Sequence, residues 1–167
     1  MSDLKYRDAT ADDLPGIVAI YNSTVASRMV TADSEPVSVE SRRAWFFAHE
    51  PRRRPLWIVE DADGSTVGWV SFQDFYGRAA YDATAEISIY LAPDRRGRGL
   101  GCEILRYAIE TVPALGVKTL LGYIFAHNEP SLRLFRGCGF EDWATLPRIA
   151  VLDGAEKSLK ILGRRIG

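Results

Sequence analysis

Cysteine and histidine are scarce in this chain: two of each occur among 167 residues, Cys102 and Cys138, His49 and His127. They form no metal-ligand spacing and no disulfide framework, so neither a metal site nor a disulfide-stapled scaffold is expected. Net charge is nearly absent too, since 21 Lys and Arg against 22 Asp and Glu leave −1. Any basic surface must therefore be local, and nucleic acid is not an expected partner. No apolar run approaches the roughly 20 residues that span a bilayer. The first residues, MSDLKYRDAT, lack both the apolar stretch and the small-residue cleavage site of a signal peptide. The expectation is a cytoplasmic protein with no membrane partner.

Repeats, low-complexity segments and linkers are also missing, whereas 47% of the residues are apolar. At this length that suits one well-buried core and not two ordinary domains, so residues 1–167 read as one domain. Element types alternate, which indicates an α/β or α+β class. LKYRDA reads as a strand. Thr10 and Asp13 then have capping-box spacing, and Leu14, Ile17, Val18 and Tyr21 recur at helical intervals. A second helix is expected over VESRRAWFFAHE, starting near Ser38. LWIVED and TVGWVSFQDF read as strands joined at Asp63-Gly64, and ATAEISIYL is a further strand stopped by Pro93. A helix runs from Leu100 and closes between Pro113 and Gly116. KTLLGYIF is a buried type of strand, EPSLRLFRGCG a short helix with Pro130 in its first turn, and the tail forms strands around Asp153-Gly154.

Residues 95 to 101, RRGRGLG, connect a strand to a helix. A helix start exposes unpaired amides and a partial positive charge, so an anion can be held there. Gly97, Gly99 and Gly101 allow a sharp turn and a close ligand, and Arg95, Arg96 and Arg98 add mobile positive charge. A surface loop with solvated arginines is equally consistent with these residues. A nucleoside-triphosphate loop is excluded because Cys102 and Glu103 stand where Lys and Ser or Thr belong. A dinucleotide fingerprint is excluded because the loop does not follow the first strand. Along AEISIYL, alternation turns Ala85, Ile87, Ile89 and Leu91 to one face and Glu86, Ser88 and Tyr90 to the other. Glu86 is then either a half-exposed acid paired with an arginine or a functional carboxylate.

Arg96, Gly99 and Gly101 fall on the fixed positions of Arg/Gln-x-x-Gly-x-Gly/Ala, and this stretch resembles the acetyl-coenzyme A signature of the GNAT superfamily of N-acetyltransferases. AEISIYLAPDRRGRGLG is similar to the strand and loop that carry that signature. NEPSLRLFRGCGF is similar to the family's Asn-x-x-Ala/Ser-x-x-Leu-Tyr-x-x-x-Gly-Phe segment. AIYNSTVASRMVTADSEPVS, FYGRAAYDATAEISIYL and YIFAHNEPSLRLF look like the phosphinothricin N-acetyltransferase subgroup over essentially the whole length. The resemblance implies a GNAT fold: a mixed, mostly antiparallel central sheet, splayed at the acetyl-CoA site and flanked by helices. It implies acetyl transfer to the free amine of phosphinothricin, methionine sulfoximine or a related amino-acid analogue, by direct attack in a ternary complex, and a homodimer.

It also implies roles for residues. Glu86 takes the general-base position. Backbone groups of Ile89, Tyr90 and Leu91 are expected to bind the pantetheine arm, the segment Arg96, Gly97, Arg98, Gly99, Leu100, Gly101 and Cys102 the pyrophosphate, and Asn128 the arm beyond while capping its helix. Phe135 stands where many members carry a proton-donating tyrosine, so the general acid is unassigned, with His127 and Tyr90 as possible donors. Arg78 and Tyr81 look like substrate-loop residues, and Arg28 is a weaker candidate. Arg52, Arg53 and Arg54 read as a solvated loop. Trp45, Phe46, Trp57 and Trp69 read as core or dimer contacts. Two rival functions remain: a protein or peptide N-terminal acetyltransferase of the same fold, and a noncatalytic coenzyme A sensor.

Overall fold

The computed structural model describes residues 2–167. Seven strands form one open sheet: β1 (Lys5–Asp8), β2 (Leu56–Glu60), β3 (Thr66–Asp74), β4 (Thr84–Leu91), β5 (Thr119–Phe125), β6 (Glu141–Leu152) and β7 (Ala155–Arg165). Their order is β1-β2-β3-β4-β5-β7-β6, and every neighbouring pair is antiparallel except β4 and β5. Four helices accompany them: α1 (Leu14–Asn22), α2 (Arg43–Phe47), α3 (Leu100–Thr111) and α4 (Glu129–Gly137).

Alternation along the strands divides the apolar residues between two layers. Trp57 and Val59 of β2 pack with Phe72, Ile87, Leu120 and the inner faces of α3 and α4. Leu56 and Ile58 turn the other way, onto Leu14, Ile17 and Val18 of α1 and Phe46 of α2. The hairpins carry their expected turns. Gly64 has φ +86°, and Asp153 and Gly154 both have positive φ, the pair of angles that a two-residue hairpin turn requires. Pro147 sits in edge strand β6, whose register shifts between Leu146 and Ala150, as a residue without an amide hydrogen demands.

Helix starts follow local chemistry. The Thr10 amide donates to Asp13 Oδ2 at 2.7 Å, and α1 follows after one tight turn. The helix expected over 39–50 is shorter: a tight turn at Glu40–Arg42 leads into α2, which ends at Phe47. His49 is the reason, because its ring folds back on the Trp45 and Phe46 carbonyls, 3.0 and 3.3 Å away, and satisfies groups that a longer helix would bond.

One feature of the sheet positions the site. β4 and β5 pair only from Thr84–Thr119 to Glu86–Leu121. Beyond that point β4 stays with β3 through Leu91, and β5 stays with β7 through Phe125. The two halves of the sheet part, and a cleft opens between them.

Candidate active site

Glu86 lies where pairing between β4 and β5 stops. It is half-buried, and among the described residues it joins no ion pair and no side-chain hydrogen bond, so the paired alternative does not hold. Burial pushes its carboxyl above the ordinary glutamate value, with no opposing partner. The side chain faces a cavity of about 190 Å³ whose floor is made of cross-strand pairs: Trp69 with Tyr90, Ser71 with Ser88, and Gln73 with Glu86. Ile17, Val18 and Tyr21 of α1, with Arg42 and Trp45, form its roof.

The cavity is aromatic and carries one cation. The Trp69 and Tyr90 rings stack at 4.5 Å, and Trp45 meets Trp69 edge-on at 5.5 Å. Arg42 sits over the Tyr21 ring at 4.7 Å and bonds Asp33 at 2.9 Å, while Tyr21 also donates to Asp33. Arg42, Trp45, Trp69, Ser71 and Gln73 carry no recognisable motif and, with Tyr21 of α1, come from three separate segments. Only their common closeness to Glu86 marks them. Trp69 is in the core as expected, 3% exposed, with Trp45 packed against it, and both also line this cavity.

On its far side the cavity adjoins the cleft, and Ser88 and Tyr90 line both. Ile87, Ile89, Gly122, Tyr123, Asn128 and Phe135 are among the other residues that line the cleft. Ala92 donates to Val67 across the β3–β4 ladder, and alternate residues of an antiparallel ladder bond the same neighbour. Ile87, Ile89 and Leu91 therefore direct their backbone groups at the cleft. Tyr90, expected to do so too, points its own at β3, with its carbonyl against Gly68. Phe135 faces the cleft with a ring that donates nothing, lying where a Cβ on Gly122 would come within 2.6 Å of it. Asn128 is buried, accepts from the Ser131 amide at 3.3 Å as the α4 cap, and keeps its amide nitrogen free of protein partners among the described residues.

The glycine-rich stretch wraps the N-terminus of α3. Gly97 and Gly99 have φ +74° and +78°, and Gly99 is the residue that starts the helix. The first helical bond there is Glu103 N–H to the Gly99 carbonyl, leaving the amides of Leu100, Gly101 and Cys102 without helical acceptors. The arginines are not uniformly mobile. Arg95 is bound to Asp61 at 2.6 Å, and Arg96 donates to the Leu91 carbonyl and to Ser23 Oγ at 3.2 and 2.7 Å. Arg98 is exposed and has no partner among the described residues. The Cys102 thiol points away from the loop, 3.3 Å from Cys138, so only its amide faces a ligand.

Arg78 and Tyr81 line neither space. They sit on an exposed loop where Phe75, Tyr76 and Tyr81 pack edge to edge. Arg54 explains this placement: it is 4% exposed, bonds Asp74 and the Asp82 carbonyl at 2.7 and 2.6 Å, and with Arg53 on Asp82 pins the loop outward. Arg53 and Arg54 are thus a clamp and not a solvated run. Arg28 is tied to Asp153, and its carbonyl receives His127 Nε2–H at 2.8 Å, which makes that histidine a strut.

Known proteins resemble this chain in sequence and fold. A family model described as an acetyltransferase (GNAT) domain matches residues 3–141. YwnH of Bacillus subtilis, whose name assigns it provisionally to phosphinothricin acetylation, is 51% identical over 154 residues, 92% of this chain and 94% of that protein. An L-methionine sulfoximine/L-methionine sulfone acetyltransferase of Pseudomonas paraeruginosa is 36% identical, over 86% of this chain and 83% of its own length. The structure of a phosphinothricin acetyltransferase from Sinorhizobium meliloti in complex with AcCoA superposes with a TM-score of 0.89 at 28% identity, over 99% of this chain and 89% of that one. With a model spanning most of its length and a relative half identical to it, this chain belongs to the GNAT family of acetyltransferases.

Proposed function

We propose that this protein transfers an acetyl group from acetyl-coenzyme A to the amine of phosphinothricin, methionine sulfoximine or a related amino-acid analogue, by direct attack in a ternary complex. The observation that carries this reading is Glu86: a half-buried carboxylate without a counter-ion among the described residues, in an aromatic cavity that adjoins, through Ser88 and Tyr90, a cleft into which β4 directs backbone groups. The names of the relatives support the acceptor class.

The residues present fit coenzyme A. The edge of β4 at Ile89, with the Leu91 amide, offers a strand-like ladder to an amide-bearing arm, and Asn128 an amide side chain. Amides at the start of α3, the left-handed Gly97 and Gly99, and the unpaired Arg98 suit a diphosphate; Arg96 shapes the turn. Coenzyme A, when bound, supplies the acetyl group as a thioester. Glu86 accepts the proton of the acceptor's ammonium, because the nitrogen lone pair must be free to attack. A free amide of the β4 edge, such as that of Ile89, faces the negative charge that develops on oxygen. Arg42, the one cation among the lining residues, pairs with the acceptor's carboxylate. A thiol has an ordinary pKa of about 8.5, so the thiolate is a tolerable leaving group without a proton from Phe135.

We further propose a cytoplasmic homodimer. The reaction is tested by thiol release from acetyl-coenzyme A with phosphinothricin, methionine sulfoximine, polyamines and short peptides. Turnover confined to the amino-acid analogues is expected. Cofactor binding with no turnover of any amine would sink the proposal.

A further inference from the structure

Ser71 lies on the floor of the Glu86 cavity and is 2% exposed, so its hydroxyl needs a partner in the protein or in the cavity. One partner is His49, whose Nε2 stands 2.8 Å from Ser71 Oγ. The other ring nitrogen, Nδ1, faces the Trp45 and Phe46 carbonyls at 3.0 and 3.3 Å. A carbonyl only accepts, so Nδ1 carries the hydrogen, and in the neutral ring Nε2 accepts. Burial pushes the imidazole below its ordinary pKa and keeps the ring neutral. Ser71 therefore commits its single proton to His49 and turns only lone pairs to the cavity.

We propose that Ser71, held in this state by His49, is the hydrogen-bond acceptor that positions the substrate's amino group beside Glu86. This rests on the acetyl-transfer reading above. Ser71 pairs with Ser88 and Gln73 with Glu86, so Ser71 and Glu86 are diagonal neighbours on one face. Their Cβ atoms are about 7 Å apart in such an arrangement, a gap that one nitrogen can bridge between two oxygens. The lock on the hydroxyl has a chemical purpose. A freely rotating Ser71 could donate to the nitrogen lone pair that must attack the thioester, and holding its proton on His49 removes that competing bond.

The test measures acceptor binding apart from turnover. Trp45 and Trp69 line the cavity, so their fluorescence reports binding of methionine sulfoximine or phosphinothricin without acetyl-coenzyme A. Ser71→Ala is expected to weaken both the Kd and the KM for the acceptor about tenfold, the size of one lost hydrogen bond to a charged group. Its kcat should change less than threefold and its KM for acetyl-coenzyme A not at all, and Ser71→Thr should restore acceptor affinity. His49→Phe should weaken the acceptor in the parent and add nothing in Ser71→Ala. Unchanged acceptor affinity in Ser71→Ala, additive effects of the two changes, or a loss of thermal stability and acetyl-coenzyme A affinity that Ser71→Thr does not restore each overturns the proposal. A parent that binds and acetylates neither probe removes the acetyl-transfer reading together with this one. An active parent with an indifferent Ser71→Ala removes only the role of Ser71.

Discussion

Glu86 gives up much of its hydration without gaining a counter-ion, and that imbalance has two measurable sides. As the base, it should leave a limb in the pH profile of kcat/KM, rising with pH through a value above the ordinary glutamate range. Glu86→Gln should erase that limb and lower kcat by about 10²–10⁴-fold while leaving acetyl-coenzyme A affinity unchanged. A variant with the parent's rate at both ends of the profile rules Glu86 out as base. Stability should move the opposite way. A carboxyl whose folded-state pKa is raised costs stability once it ionises, so the glutamine variant should melt higher than the parent at pH 8. The gain should shrink as pH falls and vanish below the ordinary value of about 4.3, where the acid is protonated in both states. A melting temperature that drops at pH 8 would show a hidden partner for Glu86. The orientation of Glu86 was legible from the alternation in AEISIYL, and its lack of a partner was not. The partner question turns on where arginines end up: Arg53 and Arg54 go to Asp74 and Asp82, and Arg95 to Asp61. No spacing in the sequence encodes those choices.

Among the elements, the loop leading into α3 was the most readable, because glycine at a left-handed position and orphan amides at a helix start are local facts. Gly99 has φ +78°, and a Cβ there would meet nothing within 4 Å, so substitution strains the backbone without a clash. Gly99→Val should therefore cost about 1–2 kcal/mol of stability, leave the domain folded, and shift the amides of Leu100 and Gly101. Calorimetric titration should show acetyl-coenzyme A affinity falling at least tenfold, and unchanged affinity would remove the diphosphate assignment from this turn. The placement of the loop between β3 and β4 was not legible, for the converse reason. Its position is set by Arg54, some twenty residues away, which bonds Asp74 and the Asp82 carbonyl. Arg54→Ala should lower stability by about 2 kcal/mol, since it removes hydrogen bonds to a charged group and strands a carbonyl. It should also expose the segment around Arg78 and Tyr81 to protease in a limited digest; an unchanged digest pattern would mean the loop is held by its own aromatic packing.

At the scale of the whole molecule, strand positions followed from periodicity, but their order in the sheet did not. β7 pairs with β5 along the full length of β5 and displaces β6 to the edge, so of the last two strands the one that comes first in sequence ends up outermost. The cavity has the same origin: Tyr21, Arg42 and Trp45 meet Trp69 and Tyr90 only because α1 and α2 cover the face of β3 and β4 that Glu86 shares. The edge position of β6 bears on assembly. It is a 12-residue strand whose outer side is unpaired among the described residues, and Trp143, Ile149 and Val151 are 46%, 56% and 66% exposed. A long apolar edge of this kind is a template for association, and the proposed homodimer would cover it. Light scattering should give twice the chain mass. Ile149→Lys combined with Val151→Glu should shift it to the monomer with little change in the intrinsic stability of the chain, because both positions are exposed and such substitutions are usually within about 0.5 kcal/mol. A parent that is monomeric at micromolar concentration rules out the dimer. A dimer that survives both charges places the contact on another face.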